Sequence, residues 1–249
     1  MRVDQQPVFV LHQRPYRETS VLLELLSADH GRIGAIARGV RQAKPRIHAG
    51  DLTPFVEANA CWIARGELVT LSAIEPAGPV RTLAGPALLA GLYVNELLVR
   101  LTARGDPHPD LFARFRELLA ELAGAPDAPS PAALAWSLRR FERDLLASIG
   151  YAIECRSLVD DGSPLDPDAD YSYDPDQGPR PWQRRPLSPK VSGRALLALA
   201  ADDPPTAAEA RELRAMMRGV IRHLLGGREL VAWGMARGAA PERSRPPPG

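Results

Sequence analysis

The chain has 249 residues, 45% of them hydrophobic, with 31 Lys+Arg against 30 Asp+Glu and a formal net charge of +1. That length gives one large domain or two modest ones, able to bury a core without disulfide or metal staples. The balanced charge excludes a histone-like polybasic binder and leaves room for a local basic patch.

The pattern changes character near Pro76-Ala77-Gly78-Pro79. Before it, the apolar runs are short and β-branched or aromatic. Strands are predicted at Pro7 to His12, Thr19 to Ser27, Arg32 to Arg38, Leu52 to Ala64 and Glu67 to Glu75. Arg14-Pro15-Tyr16-Arg17, Asp29-His30-Gly31 and Arg65-Gly66 punctuate them. Short strands at this spacing, about five in 75 residues, fit a small closed barrel; an open sheet leaning on the second half is the alternative.

Beyond the change the runs are long, Ala/Leu-rich and helical in period. Helices are predicted from Gly85 to Arg104, from Pro109 through Leu122, and from Ser130-Pro131 to a stop at Gly150. Ala125 to Pro129 reads as a loop. Thr206-x-x-Glu209 has capping-box spacing and opens a helix ending at Gly226-Gly227. Between the helices lies an irregular acidic insert, Cys155 to Pro189, in which Asp160 to Asp176 holds seven aspartates and no Lys or Arg. Its Pro and Gly content predicts a surface loop. The tail after Gly238 is predicted to be disordered. The fold class is therefore α+β: a barrel over residues 1–80 and a helical domain over 81–238 carrying the insert 155–189.

Cys61 and Cys155 are the only cysteines, which suits a reducing compartment and excludes a four-thiolate zinc site built from this chain's thiols alone. Met1 to Pro7 has no apolar core of a signal peptide, and Ala87 to Val99 is too short and polar to span a bilayer, so a cytoplasmic location is expected.

The most informative local feature is the gap between Asp29 and Asp51, which holds Arg32, Arg38, Arg41, Lys44 and Arg46 and no acidic residue. Arg14 and Arg17 lie just upstream. Such a loop on a small barrel can follow a phosphate backbone, since each cation neutralises a phosphate and releases counterions. The bland alternative is a solvated basic hairpin. Stacking aromatics are few: Tyr16, Phe55 and Trp62. In the helical part, Arg139 and Arg143 share a face. Arg211, Arg214, Arg218 and Arg222 step by about one helical turn beside Leu213, Met217, Ile221 and Leu225. That stripe is either the wet face of an amphipathic helix or a seat for an acidic, apolar peptide.

Asp166-x-Asp168-x-Asp170 has alternating oxygen ligands but lacks the Gly and Glu of an EF-hand loop, so a solvated acidic segment is expected rather than a metal site. No nucleophile elbow, Walker A or zincin motif is present, and the five histidines are scattered. The expectation is a protein that is not an enzyme and takes no cofactor.

Phe9-Val-Leu-His-Gln-Arg-Pro-Tyr-Arg-Glu-Thr-Ser20, Asp29-His-Gly-Arg32, Ala35-Ile-Ala-Arg-Gly-Val40 and Glu67-Leu-Val-Thr-Leu71 resemble the amino-terminal domain of the bacterial RecO family. Gly91-Leu-Tyr-Val-Asn-Glu-Leu-Leu98, Ile149-Gly-Tyr151 and Arg222-His-Leu-Leu-Gly-Gly-Arg-Glu229 follow in that family's order. The resemblance implies an oligonucleotide-binding (OB) barrel followed by a helical domain. It implies a nucleoid-associated recombination mediator that binds single- and double-stranded DNA and anneals strands. With RecR as partner, such a mediator helps RecA displace single-strand-binding protein. The family's basic barrel surface maps onto Arg14, Arg17, Arg32, Arg38, Arg41, Lys44 and Arg46. The Arg211, Arg214, Arg218, Arg222 stripe is the candidate seat for the acidic tail of single-strand-binding protein. Many members hold zinc through four cysteines in the insert; here only Cys155 remains, so no zinc is expected. The alternative reading is an adaptor that binds an acidic tail and no DNA.

Overall fold

The computed structural model describes residues 1–64, 66–78, 82–124, 129–183 and 189–238. Arg65 and Pro79 of the predicted turns, most of the 125–129 loop, residues 184–188 of the insert and the tail 239–249 lie outside them.

Five strands, β1 (Arg2–Tyr16), β2 (Ser20–Ser27), β3 (Gly31–Ala37), β4 (Glu57–Ala64) and β5 (Val69–Pro76), close a barrel in the order β1-β2-β3-β5-β4. β1 closes it by pairing antiparallel with both β2 and β4, while β3 and β5 pair in parallel. β1 is far longer than its sequence signal. At its start, Gln5 takes a left-handed conformation (φ 54) where the register with β4 shifts, so a bulge breaks the alternation that marks a strand. At its end, Pro15 and Tyr16 stay paired with Val21 and Ser20, and the hairpin turns at Arg17 instead. The predicted Leu52 to Ala64 strand begins only at Glu57. Leu52 belongs to a short 3-10 turn, Ala49–Leu52, and is buried in the barrel core.

The helical part comprises α1 (Gly85–Leu101), α2 (Pro109–Ala123), α3 (Pro131–Ser148), α4 (Gly193–Ala201), α5 (Ala207–Leu224) and α6 (Val231–Gly238). The predicted starts are made by side chains. The Ser130 hydroxyl accepts from the Ala133 amide at 3.1 Å, and the Thr206 amide donates to Glu209 at 2.7 Å in a capping box. α1 stops at Leu101, short of the predicted Arg104, because Arg104 is drawn onto the barrel. α4 and α6 are too short to show a helical period. α6 starts where Glu96 of α1 accepts hydrogen bonds from the Val231 and Ala232 amides, both at 3.0 Å.

The insert is not wholly irregular, contrary to expectation. β6 (Asp170–Asp174), β7 (Gly178–Pro181) and β8 (Lys190–Ser192) form a three-stranded sheet in the order β7-β6-β8. Its aspartates stay on the solvent side, as expected, but several are ordered in turns and pairs. Asp166 and Asp174 accept from the Asp168 and Asp176 amides at 2.8 and 2.9 Å. Asp170 pairs with Lys190, and Asp168 with Arg194. Beneath them Cys155, Leu165, Tyr171 and Val191 join the core of α4 and α5. Composition hid this because the apolar residues that carry the sheet are few and spread over 37 positions of chain, counting 155 to 191.

Barrel and helices share a core. Val8 and Val10 point into the barrel, and the alternating Phe9 and Leu11 point out into the helical cluster. The Phe9 ring lies 5.1 Å from both Phe112 and Phe115 of α2. Polar ties flank this seam. Arg116 meets Glu57 in a fork at 2.7 and 2.6 Å, Asn95 Nδ2 donates to the Leu11 carbonyl at 2.9 Å, and Glu24 receives both Arg32 (2.6 Å) and Arg104. Gly34 leaves room for the last pair, since a Cβ there would lie 3.0 Å from the Arg104 guanidinium.

Two outcomes follow. Phe9→Ala should destabilise the protein by about 3–5 kcal/mol, because it empties a site walled by both halves; urea unfolding followed by circular dichroism measures it. A chelator should leave the thermal midpoint unchanged, because the insert is held by side chains; scanning calorimetry with and without EDTA checks this.

Candidate nucleic-acid interface

The loop after β3 is pinned by Val40 and Ile47, which sit in the barrel core. Between and beside these anchors Arg38, Arg41, Lys44 and Arg46 are exposed. Gly39, at φ 70, turns the chain so that Val40 can reach inward. The neighbouring β1–β2 hairpin presents Arg14 and Arg17, also exposed. Arg14, Leu22 and Ile36 stand in one cross-strand row on the outer face of β1, β2 and β3. The same face of an OB barrel, with its adjoining loops, is the usual seat of oligonucleotides.

The hairpin and the loop touch. The Arg41 amide donates to the Thr19 carbonyl at 3.1 Å, and its guanidinium donates to the Arg17 carbonyl at 2.6 Å. The structure thus brings six of the sequence-derived cations onto adjoining loops: Arg14, Arg17, Arg38, Arg41, Lys44 and Arg46. Among the described residues, no ion pair engages Arg14, Arg38, Lys44 or Arg46. Arg32 is not brought together with them. Its guanidinium is held by Glu24 and by the Thr102 carbonyl at the seam with α1.

Phe55 and Trp62 are buried at 6% and 2% exposure and cannot stack on a base. Tyr16 is half-buried, with the Arg17 guanidinium 5.2 Å from its ring centroid. The interface therefore offers cations and one aromatic edge, which suits backbone contact better than base readout.

On α5, Leu213, Met217 and Ile221 are buried and the arginine stripe faces outward, as the helical period predicts. The four arginines are not equivalent. Arg218 lies over the Trp233 ring at 4.5 Å and pairs with Glu229 at 3.6 Å. Arg214 is close enough to act electrostatically on Glu142 of α3. Arg211 and Arg222 are exposed. The Arg139 and Arg143 pair is absorbed by the fold: Arg139 meets Glu142, and Arg143 reaches Asp202 and the Leu199 carbonyl.

Sequence reasoning missed the buried network beneath the stripe. Glu142 is 0% exposed and accepts from Tyr93 at 2.6 Å. Burial pushes the Glu142 carboxyl up, while Arg139 pulls it down. Burial, helped by the Glu142 charge, pushes the Tyr93 hydroxyl well up. A single Glu three residues after Arg139 reads in sequence as a surface pair, and only the tertiary packing of α1, α3 and α6 buries it.

Around Cys155 the described residues offer no metal-ligand set. Burial pushes the Cys155 thiol up to about 12, and among the described residues no group of three or more His, Cys, Asp or Glu is arranged to hold a metal. The Asp166, Asp168 and Asp170 carboxylates are engaged in turns and ion pairs instead. Among the same residues, no helix is long and apolar enough to cross a membrane.

Comparison with known proteins agrees with this architecture. The profile described as recombination protein O N terminal matches residues 1–80, and recombination protein O C terminal matches residues 84–230. The chain is 44% identical to DNA repair protein RecO of Stenotrophomonas maltophilia, over 98% of this chain and all (100%) of that protein. It is 40% identical to DNA repair protein RecO of Xanthomonas oryzae pv. oryzae, over 98% of this chain and 100% of that one. It is 43% identical to DNA repair protein RecO of Laribacter hongkongensis over 93% of each chain. With both profiles matched across the barrel and the helices, the chain belongs to the RecO family of DNA repair and recombination proteins.

Proposed function

We propose that this protein is a recombination mediator that binds single- and double-stranded DNA through its barrel and anneals complementary strands. The observation that carries the reading is the set of exposed cations on the touching β1–β2 hairpin and β3–β4 loop of an OB barrel, which outnumber the exposed carboxylate of Glu18 at the hairpin tip. Their work is electrostatic. Each neutralised phosphate releases counterions, and two strands screened in this way can approach each other. No step breaks or makes a covalent bond, so the reading is of a binding protein.

The same reading takes RecR as partner and assigns the protein to loading RecA onto DNA coated by single-strand-binding protein, in the cytoplasm and at the nucleoid. Its link to the coat is the α5 face. Exposed Arg211 and Arg222 flank Arg218 and Trp233, which pairs cations with an aromatic surface suited to an acidic, apolar tail. The adaptor alternative keeps this face and removes the barrel's role.

Reversal of Arg38, Lys44 and Arg46 to Glu should weaken single-stranded DNA binding by about 100-fold or more without changing the circular dichroism spectrum. Fluorescence anisotropy with a labelled oligonucleotide measures it, and unchanged affinity refutes the barrel site. In the wild type, the slope of log affinity against log salt should be about −3, from about 0.7 per phosphate at four or five cations. A peptide ending in acidic and apolar residues should lose about 10-fold in affinity with Arg211→Glu and Arg222→Glu and none with the barrel reversal. Equal loss with both would place the peptide on the barrel.

A further inference from the structure

The cations of the barrel are one residue class in sequence and two classes in structure. Arg14, Arg38, Lys44 and Arg46 are exposed, and no ion pair engages them among the described residues. Arg41 is exposed too, but its donors are committed to the backbone of another segment. Its guanidinium donates to the Arg17 carbonyl at 2.6 Å and, more weakly, to the Ser20 carbonyl at 3.4 Å. Its own amide donates to the Thr19 carbonyl at 3.1 Å. One residue therefore grips the tip of the β1–β2 hairpin by main chain and side chain together.

That tip needs holding. Arg17 has φ 52, a left-handed conformation that a residue with a side chain rarely adopts. A carbonyl in such a turn points away from the strand ladder, and Arg41 supplies its donor. On the loop side, Val40 and Ile47 fix the two ends in the barrel core, and the segment between them has no other side-chain hydrogen bond to the hairpin among the described residues. The loop carries Lys44 and Arg46, with Arg38 just before it, and the hairpin carries Arg14 and Arg17. Beyond the β2–β3 ladder, which ends at the Val21–Ala37 pair, the Arg41 contact joins the two groups.

We infer that Arg41 is a positioning residue of the DNA interface, clasping the basic loop to the β1–β2 hairpin so that both sets of cations meet one phosphate backbone. The assignment rests on the DNA-binding reading above. Its ligand is the sugar–phosphate chain, and the role of Arg41 is to set the spacing of the other cations rather than to neutralise a phosphate. A lysine keeps the charge, but its shorter stem does not carry the ammonium to the place of Nη2, the one nitrogen that serves both carbonyls.

The test compares Arg41→Lys with Arg46→Lys in the full chain, using a labelled single-stranded oligonucleotide at several salt concentrations. Arg46→Lys should stay within about two-fold of wild type, because an ammonium serves a phosphate as well as a guanidinium does. Arg41→Lys should lose about 10-fold, and its salt slope should shrink by about 1.4, although no charge has been removed. Two phosphates at about 0.7 each are then no longer engaged together. The amide of residue 41 should also exchange faster in Arg41→Lys with no DNA present, at an unchanged thermal midpoint. Arg41→Lys with wild-type affinity and slope overturns the clasp and makes Arg41 an ordinary phosphate ligand. A wild-type protein that binds no oligonucleotide overturns the DNA-binding reading itself and this assignment with it.

Discussion

The seam at Phe9 is the contact on which the rest of the molecule depends. A strand has two faces, and β1 uses both for burial: Val8 and Val10 fill the barrel, and Phe9 and Leu11 fill the helical core. The barrel wall is thus also a wall of the helical cluster. Area arguments explain the strength of this joint, since a buried phenylalanine contributes about 2–3 kcal/mol of apolar transfer and its edge contacts with other rings add to that. The flanking ion pairs add direction rather than much energy. The Arg116–Glu57 fork is partly exposed, which discounts its strength, yet its two parallel bonds add geometric specificity.

A near-zero net charge conceals how differently the cations are used. Arg32 and Arg104 converge on Glu24, Arg114 meets Asp144 and Glu121, and Arg139 meets Glu142. Arg32, Arg104 and Arg114 fasten one element to another, while Arg139 holds the buried Glu142 of its own helix. Most carboxylates of the insert are likewise used at home, in turns and in pairs with Arg180, Lys190, Arg194 and His223. After these pairings, the barrel loops remain as a surface where Arg14, Arg17, Arg38, Arg41, Lys44 and Arg46 outnumber the exposed Glu18. The formal sum of +1 is therefore silent about the interface, whereas the charge sequence between Asp29 and Asp51 is informative.

What could be read in the sequence was whatever depends on local pattern. Strand alternation in β2, β3 and β5, the Ser130 and Thr206 caps, and the buried face of α5 all involve residues a few positions apart. The basic loop was legible for the same reason. What was hidden depends on distance along the chain. The bulge at Gln5 masked the first part of β1, and the Glu96 cap on α6 spans 135 and 136 positions. Arg32 looked like its neighbours until Thr102, which is 70 positions away, took its donors. The sheet of the insert escaped notice because its aspartates resemble a disordered run in composition, and only the pairing of β6 with β7 and β8 shows them to be turn-makers.

The same logic links the insert to the helical face it supports. β8 packs against α5, and Val191 is fully buried there beside Leu213 and Met217. Ser192 caps α4 through its hydroxyl and donates to Glu212 of α5 at 2.6 Å. α5 is therefore held on its inner side by α3, α4 and the small sheet, which leaves the arginine face outward. A metal-bound insert could provide such a buttress through its ligands. Here the apolar contacts of Cys155, Leu165, Tyr171 and Val191 provide it, and burial keeps the Cys155 thiol protonated at neutral pH. The orientation of the α5 stripe thus rests on packing, as the orientation of the barrel does at Phe9.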